Sequence, residues 1–331
     1  MTAIQHVQMM RPAHRLSGPV LCAAALVLAS CATVSPPPLE RPDTTGSVNF
    51  PEIERFTRLY MVMRYEGDAA IRRAVSPQYD ELALVDLPAT RNRYMIGTSR
   101  TAKRQEIWIR GTANLRNAGF DLDYGLRYNA ELGIELHKGF EEITRTLYAR
   151  IRPRLDPDYD LVIFGHSLGA AEAIILAMLL WKEGYRVRQV YASGCPRVTT
   201  RSGAEKYAFL PVLRIVNPGD PVPFLPPRDI VSASDPYTQL GTVLFLLDGP
   251  YYCLLKGEES EAALALTLQP QVHDRPLNRQ IAMHLTPAYL GRLQTKVHVA
   301  LQVLFSDWLL YLPSPPPESP LPPFDRRGSP R

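Results

Sequence analysis

The chain has 331 residues, of which 46% are hydrophobic and 21% charged, and its formal net charge is +4. Lysine and arginine are scattered along the sequence without a basic stripe, so the charge balance argues against a nucleic-acid-binding protein. The length and hydrophobic content suit one sizeable core. Alternating strand and helix patterns predict an α/β fold with a mostly parallel central sheet and helices on both faces.

The N-terminal region has the pattern of a secretory signal peptide. Arg11 and Arg15 precede an apolar run over 20–29 that is too short to span a bilayer comfortably. The run ends in Leu28-Ala29-Ser30-Cys31, which resembles the lipobox of bacterial lipoproteins, where cleavage precedes a cysteine that is then acylated. We therefore expect lipid attachment at Cys31, for example of palmitate. The alternative is an ordinary signal peptide cleaved after a small residue, with Cys31 incidental.

This anchor predicts a location in the cell envelope. Ala32 follows the cysteine and carries no inner-membrane retention signal, so we expect an outer-membrane lipoprotein that faces either the periplasm or the outside. Two acyl chains or more hold a protein on a bilayer almost irreversibly. The expected partners are therefore a membrane, reached through Cys31, and a small-molecule substrate. The sequence names no protein partner.

One folded domain is predicted between two proline-rich flanks. Residues 1–30 form the signal peptide, and residues 31–50 hold the lipidated cysteine and an extended tether with Pro36-Pro37-Pro38. Residues 312–331 form a proline-rich, disordered tail. Residues 51–311 remain for the α/β domain, and neither flank is expected to carry chemistry.

The apolar spacing predicts the elements of this domain in chain order. Amphipathic or buried helices are expected at 51–64, 136–151 and 168–183. Strands are expected at 93–98, 106–110, 160–164, 186–193 and 212–217. The first two strands suit a hairpin, whereas the last three read as buried parallel strands because their apolar runs are nearly continuous.

A candidate nucleophile lies between a predicted strand and a predicted helix. Gly165-His166-Ser167-Leu168-Gly169 matches the G-x-S-x-G pattern of a serine nucleophile in that structural context. Its glycines permit a strained turn, and the N terminus of the following helix favours a developing negative charge. The main-chain N–H of Leu168 is then a candidate oxyanion donor. The alternative, that Ser167 only occupies a tight turn, is disfavoured by the strand and helix around it.

A serine hydroxyl needs a histidine to accept its proton, and few histidines follow Ser167. They are His273, His284 and His298. His284 is the best candidate, since it precedes a segment with helix-start character and a loop could carry it over the strand ends. His273 is the rival, although Asp274 could orient it at the surface. His298 lies among apolar residues at helical spacing, which favours a packing or surface role.

The candidate acid is Asp220, in the turn that follows the strand predicted at 212–217. The order serine, acid, histidine is the one that suits this strand-turn-helix context. Asp229 and Asp235 lie further into the following loop. A carboxylate that only caps a turn is an equally good interpretation of Asp220 on composition alone.

The remaining ligand-type residues predict no metal or cofactor, because no cluster of histidine and carboxylate has ligand spacing. If Cys31 carries lipid, Cys195 and Cys253 are left in the mature chain. They could form a disulfide in an oxidising compartment, or they could be two separately buried thiols. The sequence leaves both possibilities open.

Together these motifs resemble the class 3 (fungal-type) lipase family of α/β-hydrolases, over about 93–293. The resemblance rests on Ile109-Arg-Gly-Thr112, Leu136-His-Lys-Gly-Phe140, Gly165-His-Ser-Leu-Gly-Ala170, Ser193-Gly-Cys-Pro-Arg-Val198, the Asp-x-Val-Pro core within 217–227, and the histidine block 284–290 with Tyr289. It implies an α/β-hydrolase fold and a catalytic triad of Ser167, Asp220 and His284. It also implies that Thr112 supplies the second oxyanion contact, through its N–H and hydroxyl.

The resemblance implies a carboxylic-ester hydrolase that forms an acyl-enzyme. Its substrate could be a triacylglycerol, a phospholipid acyl chain or a short soluble ester. The alternative from another class is a lipoprotein that keeps the hydrolase fold to bind lipid or a partner without turnover. A peptidase or thioesterase would share the triad.

Three segments depart from the family pattern or admit a second interpretation. Residues 113–135 stand where such lipases place an amphipathic lid, yet they are mostly polar, so interfacial activation is doubtful. Residues 230–255 could border an acyl groove, although core packing is favoured for most of them. The apolar stripe over 297–309 has helical spacing, and packing on the domain is favoured over a membrane-surface helix because basic residues are lacking.

Overall fold

The computed structural model describes residues 48–90, 92–111, 123–267 and 277–312. Its helices are α1 (Phe50–Tyr65), α2 (Asp68–Val75), α3 (Lys138–Ile151), α4 (Leu168–Lys182), α5 (Arg201–Lys206), α6 (Gly257–Thr267), α7 (Leu277–His284) and α8 (Thr286–Gln294). Its strands are β1 (Glu81–Leu87), β2 (Asn92–Ser99), β3 (Arg104–Arg110), β4 (Leu126–Asn129), β5 (Ile134–His137), β6 (Asp160–His166), β7 (Arg186–Ser193), β8 (Thr199–Thr200), β9 (Val212–Val216), β10 (Tyr237–Thr238), β11 (Thr242–Leu246), β12 (Tyr251–Leu255) and β13 (Leu301–Gln302).

The central sheet has the strand order β1-β2-β3-β6-β7-β9-β11-β12-β13. Its middle strands β3, β6, β7, β9 and β11 are parallel, whereas β1 and β2 extend it antiparallel at one side and β12 at the other. Helices α1 and α8 pack on one face, and α3 and α4 pack on the other. The predicted α/β-hydrolase arrangement, a mostly parallel sheet with helices on both faces, is confirmed.

Strand β6 lies near the centre of this sheet because both of its faces are apolar. Leu161 and Ile163 point into the cluster beneath α3 and α4, while Val162 and Phe164 point into the cluster beneath α1. The period of two along a strand divides the side chains between the two layers. Helix α4 is apolar almost all round, and it is therefore buried along nearly its whole length.

The predicted hairpin of β2 and β3 is present, and its partner β1 adds a strand that the sequence analysis missed. The helix predicted at 136–151 begins at Lys138, because Ile134–His137 is strand β5 of a small second sheet with the order β10-β8-β5-β4. The imidazole of His137 accepts a hydrogen bond from the Phe140 N–H at 3.4 Å and so caps the shortened helix.

The apolar stripe over 297–309 is not a helix, so the predicted helical spacing is wrong there. Leu301 and Gln302 form β13 against the edge strand β12, and Trp308–Tyr311 is a short 3₁₀ helix. The edge of the sheet offers unpaired backbone groups, and pairing with it overrides the weak helical pattern. Val303 and Trp308 are buried, as the packing interpretation requires, whereas Leu304 is 67% exposed.

Residues 230–255 take the favoured packing role for the most part, since residues 243–247 in and after β11 are buried in the core. Cys195 and Cys253 are free thiols in two different apolar clusters, which decides between the two possibilities that the sequence left open.

None of the helices in the described ranges is long and apolar enough to cross a bilayer. Several predictions fall outside the described ranges: the signal peptide, Cys31, most of the tether, Thr112, the start of the lid region, His273 and the proline-rich tail.

Candidate active site

The turn between β6 and α4 holds Ser167 in a backbone conformation that L residues rarely adopt, with φ 61° and ψ −129°. Close packing around the turn enforces this shape. A Cβ added to Gly165 would lie 2.1 Å from the Gly169 carbonyl oxygen, and one added to Gly169 would lie 2.3 Å from the Ile109 oxygen. Both positions therefore require glycine, and the strained serine is held at the carboxyl end of a central strand.

The end of β3 lies directly against the start of α4. A Cβ on Gly111 would approach the Gly169 nitrogen to 2.6 Å. Leu168 is the first residue of α4, and the first N–H groups of a helix lack intrahelical acceptors, so its N–H suits an oxyanion. Thr112 follows Gly111 in the chain but lies outside the described residues, so its contribution stays a prediction.

Asp220 and His284 are in contact although 64 residues separate them in the chain. Asp220 follows β9 through the turn that starts at Asn217, and only 1% of it is exposed. The Nδ1 atom of His284 lies 2.9 Å from Oδ2 and 3.1 Å from Oδ1 of this carboxylate. The main-chain N–H of Val222 donates to Oδ1 at 2.8 Å, so the carboxylate is oriented from two sides.

His284 is the last residue of α7, so the expectation that a loop carries it is wrong. Leu285 leaves the helical region with φ −69° and ψ 141°, and α8 begins at the next residue, with Pro287 in its first turn. The junction between the two helices places the imidazole above the ends of the central strands, the position that the sequence analysis had assigned to a loop. Its Nε2 atom is buried and has no hydrogen-bond partner among the described residues.

Tyr289 adds a contact that the sequence analysis did not foresee. Its hydroxyl donates to Oδ2 of Asp220 at 2.5 Å, and the residue is fully buried. Burial, and then the nearby carboxylate, raise the pKa of Tyr289 well above its ordinary value, so the proton stays on the phenol. The histidine block had named Tyr289 without a role; its position one turn into α8, just after His284, was the only signal available.

His166 connects the turn of residues 165–169, called the elbow below, to the pair of Asp220 and His284. Its ring stacks on that of His284 with centroids 4.8 Å apart, and its Nδ1 lies 3.1 Å from the Ser193 hydroxyl. Burial, with His284 as the second cause, lowers the pKa of His166 well below its ordinary value. A neutral His166 adds no positive charge beside His284. The structure thus places the neighbour of Ser167 against the candidate base.

The rival residues are not brought together in this way. His298 and Asp229 are exposed. Asp235 instead accepts hydrogen bonds from the N–H and hydroxyl of Ser202, at 2.9 and 2.8 Å. A cavity of about 810 Å³ opens beside Val212 and Thr242, which begin β9 and β11. It therefore lies at the amino ends of these parallel strands, whereas Ser167 lies at the carboxyl end of β6. Within the described ranges, no group of His, Cys, Asp or Glu is arranged to hold a metal ion.

The comparisons with known proteins converge on one family. The family described as Lipase (class 3) matches residues 107–230, a range that includes Ser167 and Asp220 but not His284. The secreted mono- and diacylglycerol lipase 1 of Fusarium solani is 30% identical over 148 residues, which cover 40% of this chain and 42% of that protein. A lipase of Rhizomucor miehei is 32% identical over 146 residues, 40% of each chain.

The chain thus spans about two fifths of the length of these curated relatives. Among solved structures, a triacylglycerol lipase from Penicillium expansum superposes with a TM-score of 0.51 at 16% identity, over 66% of this chain and 88% of that one. At that identity the likeness concerns the fold alone. The chain is thus similar in sequence to class 3 lipases over residues 107–230.

Proposed function

We propose that the protein is a serine carboxylic-ester hydrolase that cleaves lipid esters. One observation carries the proposal: a buried Asp220 holds Nδ1 of His284 at 2.9 Å, while Nε2 of the same ring is left without a partner among the described residues. An aspartate in this position fixes the tautomer that has its proton on Nδ1. The free Nε2 is then the atom that accepts a proton from Ser167.

The reaction follows from these positions. Ser167 attacks the ester carbonyl while His284 takes the hydroxyl proton, and Asp220 stabilises the imidazolium that forms. The N–H of Leu168 and the predicted donor Thr112 stabilise the oxyanion of the tetrahedral intermediate. His284 returns its proton to the leaving alcohol, which leaves an acyl-enzyme. Water, deprotonated by the same imidazole, attacks the acyl-enzyme and releases the acid.

The lipid part of the proposal is supported by the names of the relatives. They are described as a secreted mono- and diacylglycerol lipase and as a lipase, and the Lipase (class 3) family matches residues 107–230, which contain Ser167 and Asp220. We therefore propose acylglycerols as the first substrates to assay, with phospholipid acyl chains as the second class.

The lipid anchor and the location are part of the same proposal. We propose acylation at Cys31 and an outer-membrane position that brings the domain to bilayer lipid. Growth of an expressing bacterium with labelled palmitate tests this directly. Label should enter the wild-type protein and be absent from Cys31→Ser. Label retained in the variant would refute acylation at Cys31.

The activity is tested by hydrolysis of p-nitrophenyl esters of short and long chain and of emulsified diacylglycerol. Wild type should turn over and Ser167→Ala should not, whereas Ser202→Ala, which replaces a serine far from the elbow in the chain, should match wild type. Preference for long chains identifies a lipase and preference for short chains an esterase. Binding of lipid without turnover on any ester would replace the proposal with a binding lipoprotein.

A further inference from the structure

Arg197 and Glu261 form a buried ion pair next to the turn that carries Asp220. Arg197 follows β7 and is 0% exposed, and Glu261 lies on α6 with 4% exposed. The Nη2 atom of Arg197 donates to Oε2 of Glu261 at 2.6 Å, and Nε lies 3.4 Å from Oε1. Breaking a buried pair from one side leaves an uncompensated charge, so the two residues act as a unit.

Arg197 binds three successive carbonyl groups of the loop after Asp220, and Gln239, which Glu261 holds, binds the carbonyl before them. The Arg197 guanidinium donates to the Phe224 and Pro226 oxygens, the latter at 2.7 Å, and the Arg197 N–H donates to the Leu225 oxygen at 2.7 Å. The Pro223 oxygen accepts from the Gln239 side chain at 2.5 Å. The Gln239 N–H in turn donates to Oε1 of Glu261 at 2.9 Å.

The clamped carbonyls are connected to the carboxylate through one turn of 3₁₀ helix, Val222–Phe224. The Phe224 N–H donates to the Pro221 oxygen at 3.1 Å, and the Val222 N–H donates to Oδ1 of Asp220 at 2.8 Å. The guanidinium carbon also lies 5.2 Å from the Phe224 ring centroid. The far end of the loop is thereby fixed, and the N–H that orients Asp220 is fixed with it.

We infer that Arg197 and Glu261 are positioning residues for Asp220, and this inference rests on the proposed function. The planar guanidinium serves two carbonyls and a carboxylate at once, a geometry that an ammonium group does not reproduce. Without it the loop is free to shift, and the Asp220 carboxylate moves relative to the imidazole of His284. A displacement of about 1 Å in a catalytic group lowers the rate by up to roughly 100-fold.

The test compares Arg197→Lys, Arg197→Met and the double variant Arg197→Met/Glu261→Met, which removes both charges together. For p-nitrophenyl ester hydrolysis, kcat should fall by about 10- to 100-fold with KM within about twofold, since Arg197 does not touch the substrate. Arg197→Lys should recover part of the loss.

The matched control is Arg55→Met, which breaks another arginine–glutamate pair. Arg55 donates to both oxygens of Glu106 at 2.8 and 2.9 Å, between α1 and β3 and away from the acid loop. It should lower thermal stability while leaving kcat and KM unchanged. Equal kinetic losses in Arg55→Met and Arg197→Met would overturn the inference, since only global stability would then matter. A folded double variant with wild-type kcat would overturn it as well.

A second readout does not depend on turnover. The proton between His284 and Asp220 should give a downfield ¹H NMR resonance that disappears in His284→Ala. This resonance should shift or broaden in Arg197→Met and stay unchanged in Arg55→Met. If the wild type shows this behaviour but has no activity, the proposed function is wrong and the positioning role of Arg197 and Glu261 stands. If the wild type is active but its resonance does not respond to Arg197→Met, the positioning role is wrong and the proposed function stands.

Discussion

Glu172 provides a prediction whose size follows from burial. The residue lies on α4, five positions after Ser167, and is 0% exposed. One carboxyl oxygen accepts a hydrogen bond from the Asn92 side chain at 2.7 Å, and the other has no partner among the described residues. Burial raises the pKa of Glu172 from 4.5 to about 8, although the Asn92 hydrogen bond opposes it. At neutral pH the folded protein therefore holds a protonated acid at Glu172.

The sign of the effect on stability follows from proton counting. Between pH 4.5 and about 8 the folded state binds more protons at Glu172 than the unfolded state, so the free energy of unfolding falls as pH rises. Each pH unit in this window lowers it by up to about 1.4 kcal/mol. Over the whole window the free energy of unfolding therefore falls by about 5 kcal/mol, and about 3 kcal/mol of this is lost between pH 4.5 and pH 7.

Glu172→Gln removes this titration and keeps a carbonyl oxygen for the Asn92 amide. The variant should gain little over wild type at pH 4.5 and about 3 kcal/mol at pH 7, measured as the free energy of unfolding in urea with an unchanged m-value. Glu142→Gln, at an exposed position on α3, is the control for the same change of side chain without burial. A difference between Glu172→Gln and wild type that does not change with pH would show that burial does not keep this carboxyl neutral.

Three further changes test the site and the packing around it. Tyr289→Phe removes one donor to Asp220 and should lower kcat by about 10-fold, at an unchanged KM, in ester hydrolysis. Gly169→Ala places a methyl 2.3 Å from the Ile109 oxygen and should cost about 3 kcal/mol in urea unfolding. Lys296→Met removes the donor that its amine supplies at 2.9 Å to the buried Leu247 carbonyl, and should cost about 2 kcal/mol in the same assay.

Each of these has an outcome that contradicts it. Wild-type kcat in Tyr289→Phe would mean that the Val222 N–H and His284 orient Asp220 without help. A fully stable Gly169→Ala would show that the elbow can move away from β3. A stable Lys296→Met would show that water replaces the amine at the Leu247 carbonyl. Leu304→Ser, at an exposed position, is a common control for stability because it should change urea unfolding by less than about 0.5 kcal/mol.

The local features of the site were predictable from the sequence because they depend on neighbours in the chain. The apolar run of β6, the glycines of the elbow and the apolar helix α4 each show in a few consecutive residues. The turn that places Asp220 after β9 was predictable for the same reason. Even so, composition alone left its turn-capping interpretation open until the carboxylate was found against His284.

The contacts between distant segments were not predictable in this way. Tyr289 reaches Asp220 across 69 residues, and Arg197 reaches Glu261 across 64. No local pattern marks such pairs, because they depend on how α6 and α8 pack against the sheet. The helical spacing of the stripe over 297–309 was misleading for a related reason. Pairing with an available sheet edge decided the conformation of this segment, and the spacing of its apolar residues did not.

The most direct test of the central claim is labelling of the purified protein with a fluorophosphonate probe, followed by mass spectrometry of the modified peptide. The proposed triad predicts one adduct, on Ser167, that is lost in His284→Ala and strongly reduced in Asp220→Asn, because the serine is activated only when the carboxylate orients the imidazole. An unlabelled Ser167, or labelling that persists at the wild-type rate in His284→Ala, would contradict it.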